Sequence, residues 1–313
     1  MNFHKRLHAL SHYKPVYKLV SAGKRIVLPG FDGLPLFEVV SFFIKRLEEG
    51  EIQTRARSLA FSFLLALFPG IIFIFTVIPY IPIDSFQDRL LELIRNFLPA
   101  STFELAHETI EDIVRHQHGG LLSFGFVFAL YVTTDGIIAL MNWFNKSFHG
   151  KRERAGWKQR LIALGITLFL SLLIFIAIGL GISSEFLFYY LESKGVLVNL
   201  MQLILITAGK WVILLALCFT AISVLYYFGP SKRERIRFIS AGSSLATMLF
   251  VITTLGFNYF ITHFGQYNKL YGSIGTLIII LLWLYINSLV LLVGYELNVS
   301  IRKARKITQF PIP

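Results

Sequence analysis

Two ionisable side chains interrupt long apolar runs: Asp135 in LYVTTDGIIALMNWFNKSF and Lys210 in LILITAGKWVILLAL. Within a bilayer such a charge costs on the order of 3 kcal/mol, so it marks a functional position by default. If both runs cross a membrane, Asp135 and Lys210 lie about 15 and about 12 residues from the same end of their spans, at similar depth. A pair between them would lower the cost of each. It would serve as a proton relay, as an anchor for an anionic headgroup, or only as a structural ion pair, with snorkelling as a further option for the lysine. Asn142 returns to the helical face of Asp135, with Asn145 nearby, which makes a polar stripe. Such a stripe lines a path or glues helices together. In the last apolar run Asn287, Gly294 and Asn298 share a face, and Glu296 near its end is either a gate or an interfacial charge.

Two backbone features accompany these groups. Pro69-Gly70 falls mid-run in LALFPGIIFIF and predicts a break usable as a hinge, because proline removes a helical hydrogen bond. In YNKLYGSIGT, Gly272 and Gly275 suggest close packing or a short re-entrant turn. Enzyme signatures are thin. His4, His8 and His12 repeat at helical spacing, and His116-Gln117-His118 stands beside Glu111 and Asp112, but neither group matches a specific metal or catalytic spacing. There is no P-loop, HExxH or GxSxG motif, so neither a cofactor nor a metal is expected and the chain does not read as an enzyme. The single cysteine, Cys218, excludes a disulfide framework and reads as a small buried hydrophobe.

The elements that must hold these residues are all helices. Hydrophobic residues make up 55% of the chain and charged residues 15%, with mean hydropathy +0.65, far from a soluble composition. Six apolar runs, at 57–80, about 120–145, 160–183, 198–228, 238–262 and 271–299, are each long enough for a hydrocarbon core of about 30 Å. The expected fold is therefore all-α, a polytopic membrane protein of about six spans. Of the 30 Lys and Arg residues, 24 fall on the face that carries both termini and 5 on the other. The positive-inside rule puts the basic face in the cytoplasm of a bacterial inner membrane. Cations against anionic headgroups account for the net charge of +12, so membrane lipids are the expected partners and nucleic acid is not.

Residues 1–56 form a cytoplasmic arm, 57–300 the transmembrane domain and 301–313 a basic tail. No signal peptide is seen in the first 36 residues. Within the arm, FEVVSFFIKRLEEG predicts an amphipathic helix on the cytoplasmic surface, with Phe37, Val40, Phe43, Ile44 and Leu47 on its apolar face and Lys45, Arg46, Glu48 and Glu49 turned away. The outer stretch 84–117 predicts an acidic helical hairpin, a candidate surface for envelope protein partners.

The proline break, the outer NFLPAS stretch, Asp135 followed by Asn142 and Lys146, and above all YGSIGTLIIILLWLYINSLVLLVGYELN resemble the YihY/BrkB family of bacterial inner-membrane proteins over about residues 40–300. The resemblance implies a six-helix membrane fold. The family's former ribonuclease BN label finds no clustered ligands here to support it. Its envelope and lipid phenotypes, serum resistance and lipopolysaccharide export, imply movement of a lipid or other anionic amphiphile. In that reading Asp135, Lys210, Asn142, Asn287 and Glu296 form the path and Pro69, Gly70, Gly272 and Gly275 the hinge or gate. A non-catalytic membrane scaffold is the alternative and a ribonuclease the weakest one.

Overall fold

The computed structural model describes residues 26–309 apart from 28–29, 50, most of 81–118, 148–153, 194–199, 232–236 and 265–272. Most of the expected outer hairpin 84–117, together with His4, His8, His12, His118 and Gly272, lies outside the described residues. Those described form seven α-helices: α1 Leu36–Glu49, α2 Ile52–Val77, α3 Gly119–Ser147, α4 Gly156–Ser193, α5 Leu200–Phe228, α6 Ala241–Phe264 and α7 Ser273–Gln309. A 3-10 turn, Ile78–Tyr80, continues α2. No strand occurs among the described residues beyond an isolated bridge between Val27 and Pro35.

Five stretches are long and apolar enough to cross a membrane: Leu122–Ser147, Gly156–Gly181, Ile204–Phe228, Ala241–Thr262 and Gly275–Arg305. Their surfaces carry large exposed apolar side chains, among them Phe124, Phe175, Val212, Met248 and Tyr259. Helices that stay hydrophobic on their outer faces need lipid, not water, around them. The first expected span is α2, which begins five residues before the apolar run at Arg57 and keeps the count at about six.

Pro69 does not break α2: the helix runs through Pro69-Gly70 to Val77, and Pro69 is buried. Proline removes one hydrogen bond, while the apolar run on either side still has to satisfy its backbone internally. The last helix likewise runs beyond residue 300 to Gln309, so most of the expected basic tail is helical.

The chain divides into two compact units, residues 61–137 and residues 1–60 with 138–313. In the smaller, α2 and α3 form an antiparallel hairpin. Gly136 packs on Phe63, the Phe73 and Phe126 rings lie 5.2 Å apart, and Gly119 faces the Tyr80 hydroxyl, so rising numbers on one helix meet falling numbers on the other. In the larger unit, contacts link α4 to α5, α5 to α6, α6 to α7 and α7 to α1.

The α6–α7 crossing depends on glycine. A Cβ on Gly242 would overlap the Gly294 carbonyl oxygen, and one on Gly294 would stand 2.6 Å from Ala246 Cβ and from the Tyr226 hydroxyl. Small residues let two helix backbones approach this closely. Beside this crossing Phe144, Tyr226 and Tyr295 form a buried aromatic cluster, with Phe144 stacked 3.9 Å from Tyr295. The Tyr226 hydroxyl is satisfied by donating to Leu291 O at 2.6 Å.

Candidate functional site

At the basic end of the larger unit, four elements converge on one carboxylate. Glu296 of α7 is almost wholly buried. Its Oε2 accepts from Arg46 Nε of α1 at 2.6 Å, and its Oε1 accepts from Ser147 Oγ, the last residue of α3, at 2.5 Å and from Arg55 Nη1 of α2 at 3.3 Å. The arginines also bind the end of α3: Arg46 Nη2 donates to Ser147 O at 2.8 Å and Arg55 Nη1 to Ser147 Oγ at 3.0 Å. Trp143, one turn before Ser147, receives Arg55 and Lys146 over its ring at 5.6 and 4.3 Å. A carboxylate this buried is tolerable because two guanidinium groups and a hydroxyl satisfy it.

The local sequence explains how Arg46 gets there. α1 forms as expected, but its buried face is not the one expected. Val39 is fully buried, Phe42 and Phe43 pack beside it, and Arg46 follows at helical spacing, while Val40 is exposed. This face docks on Leu297, Ile301 and Ala304 of α7 in a cluster that also takes Phe31 and Leu34. Hence α1 does not simply lie on a surface, and Arg46 is turned inward with 12% of its side chain exposed. An amphipathic pattern cannot place an arginine inward unless its partner is known, and that partner lies 250 residues away.

The other predicted residues are distributed as follows. Asp135 is exposed, in the smaller unit, next to the Gly136 that packs on Phe63. Lys210 is half-buried on α5, in the larger unit. Asn142 accepts from Gln159 Nε2 of α4 at 2.7 Å, and Asn145 accepts from Ser231 N at 2.7 Å. Asn287 donates to Trp283 O at 2.8 Å, while its Oδ1 is buried with no hydrogen-bond partner among the described residues, as are the hydroxyls of Ser223 and Ser288. Asn298 caps α6: its Oδ1 accepts from Gly242 N at 2.8 Å and its Nδ2 donates to Ser240 Oγ at 3.0 Å. Gly275 is buried in the first turn of α7. His116 Nδ1 sits 3.0 Å from Asp112 Oδ1, both exposed. Among the described residues no three His, Cys, Asp or Glu side chains gather as a metal site.

Sequence reasoning missed Ser147 and Arg55, which are ordinary residues at helix ends, and Arg154, whose guanidinium bonds Phe228 O at 3.1 Å and Pro230 O at 2.6 Å at the end of α5. The signal available for all three was the density of polar residues where the apolar runs stop.

Long apolar helices with a buried ionic cluster at one end define a polytopic helical membrane protein. More narrowly, the profile of the virulence factor BrkB family matches residues 43–311, and the chain belongs to that family. It is similar to a Bacillus subtilis protein named as ribonuclease-like, YfkH, at 29% identity over 83% of this chain and 93% of that one. It is also similar to UPF0761 membrane proteins of Haemophilus influenzae, at 26% identity over 82% and 91% of the two chains, and of Alteromonas mediterranea, at 26% over 86% and 89%. No solved structure matches it.

Proposed function

We propose that this chain is a bacterial inner-membrane transporter or flippase-like protein that moves a lipid or other anionic amphiphile of the envelope, with both termini in the cytoplasm. The observation that carries the reading is Asp135: a carboxylate inside the membrane-length stretch Leu122–Ser147, exposed next to exposed Phe128 and Tyr131. A charge kept at that depth at such cost is within reach of a headgroup or of water drawn in with it. Lys210, half-buried among exposed Trp211, Val212 and Leu205, brings the sign that an anionic headgroup needs. In this mechanism Asp135 relays charge, Lys210 binds the headgroup, and Asn142 and Asn287 line the path. The buried orphan oxygen of Asn287 supports that last role, because an unsatisfied polar atom costs about 1–3 kcal/mol. Glu296 with Arg46 and Arg55 acts as the cytoplasmic gate, since their contacts tie the ends of α2 and α3 to α7. Pro69, Gly70, Gly272 and Gly275 are the hinge or gate positions of this reading.

The test is fluorescent phosphatidylglycerol movement in vesicles reconstituted with the protein, together with native mass spectrometry of retained lipid. Wild type is expected to move and retain lipid, and folded Asp135→Asn and Lys210→Met variants to lose both. Equal movement and retention in all three overturns the proposal.

A second reading, a non-catalytic scaffold for envelope proteins, is favoured by the Asn142–Gln159 and Asn145–Ser231 bonds, which use the polar stripe for packing. It predicts that Asp135→Asn destabilises the bundle without touching lipid movement. Charge reversal in 84–117 would then abolish partner capture.

A further inference from the structure

A second cluster of charge, apart from Glu296, lies where the N-terminal arm meets the end of α7. Residues 30–35 form a tight turn in which Gly30, Asp32 and Gly33 all adopt positive φ, of 91°, 53° and 83°. Glycine takes this conformation freely, whereas an aspartate there is held against a cost of about 1–2 kcal/mol. The holding is visible. Phe31 and Leu34 are buried against Leu297 and Ile301, Leu34 N donates to Phe31 O at 3.0 Å, and Leu36 N donates to Ile26 O at 2.8 Å. Anchors on both sides thus fix Asp32 between two arginines, Arg305 at 3.4 Å and Arg237 at 3.9 Å.

Those contacts are loose. Charge-assisted bonds close to about 2.7–2.9 Å, as Arg46 does on Glu296. Next to the carboxylate is a cavity of about 40 Å³ lined by Gly30, Asp32, Arg237, Ser240, Asn298 and Arg302. That is room for roughly three waters, or one tetrahedral anion. Arg237 and Arg302 line it together with Asp32, and Arg305 reaches the same carboxylate from α7. The amides at the start of α6 contribute little, because Ser240, Ser243 and Asn298 already cap them.

We propose that this cup is a phosphate-binding site, and that Asp32 is a built-in competitor occupying part of it. A phosphomonoester carries a charge of about −1.5 to −2 at neutral pH, and the guanidinium forks of the lining arginines match its oxygens. Arg302 and Arg305 stand at the end of the membrane-length stretch Gly275–Arg305, so a lipid headgroup and a free phosphate both reach the cup. The site shares no residue with the proposed transport path, and its test does not read transport.

The experiment uses the full chain in nanodiscs. Inorganic phosphate is titrated into phosphatidylcholine discs with thermal unfolding as the readout, because a ligand that binds only the folded state raises the midpoint. A parallel arm compares discs with and without phosphatidic acid. Asp32→Asn is expected to tighten binding about tenfold, a difference of about 1.4 kcal/mol. Arg302→Gln and Arg305→Gln are expected to lose it. Arg237→Gln, at a side chain 78% exposed, weakens binding without threatening the fold. A response to phosphate in this rank order identifies a soluble ligand, and the same order confined to phosphatidic acid discs identifies a headgroup; both support the site. Binding that is absent from both arms, or indifferent to Asp32→Asn and Arg237→Gln in folded protein, overturns it.

Discussion

Arg46 Nε lies 2.6 Å from Glu296 Oε2 and ties a short N-terminal helix to the last membrane helix across 250 residues of sequence. Arg55 and Ser147 complete the shell, so one carboxylate joins α1, α2, α3 and α7. A buried ion pair adds little net stability against a well-packed apolar alternative, but breaking it from one side leaves a charge uncompensated.

Glu296→Gln removes the charge and leaves Arg46 and Arg55 facing each other across a buried site. We expect a loss of about 3–5 kcal/mol, read as a lowered unfolding midpoint in detergent. Combining it with Arg46→Met should restore part of the loss. Single and double variants that destabilise additively would mean the pair is not coupled.

Val39→Asn places a polar amide at the centre of the α1–α7 contact while leaving α1 amphipathic. Amide hydrogen exchange across Leu36–Glu49 should rise strongly, with α5 and α6 unchanged. The same substitution at exposed Val40 should leave exchange near wild type, the reverse of what the sequence pattern implies.

Gly294→Ala puts a methyl group against Ala246 and the Tyr226 hydroxyl, with the Gly242 carbonyl behind them. A backbone oxygen cannot rotate away, so overpacking should cost at least about 1–3 kcal/mol. Gly256→Ala, with open space at its Cβ, is the matched control and should be silent or slightly stabilising. The comparison is made by thermal unfolding of the two purified variants.

Asn142→Ala breaks the bond to Gln159. Interhelical hydrogen bonds in membranes average about 0.6 kcal/mol, so the stability loss should be small. Under the transport proposal lipid movement should fall by more than stability does. A small stability loss with wild-type movement assigns Asn142 to helix packing alone.

Much of this architecture is legible in the sequence. Length and apolarity of the runs set the class of fold, because a bilayer imposes one-dimensional constraints: a span needs a minimum length, and its backbone must satisfy itself as a helix. The amphipathic helix expected over FEVVSFFIKRLEEG, found at Leu36–Glu49, and the polar character of Asn142, Asn145, Asn287 and Asn298 followed from spacing. The family was legible in the last span.

Tertiary structure alone decided which partners those residues take. Arg46 reads as solvent-facing because periodicity describes one helix and says nothing of the helix that packs on it. Pro69 reads as a break because local propensity omits the apolar flanks that hold α2 together. The turn that holds Asp32 at positive φ exists only once Phe31 and Leu34 are buried against α7. The sequence by itself thus determined that this protein is a bundle of membrane helices with costly polar groups inside. The three-dimensional packing decided that one of its buried charges, Glu296, is gripped by two arginines from the other end of the chain. Helix formation and membrane insertion depend on neighbours in sequence, whereas charge pairing depends on neighbours in space.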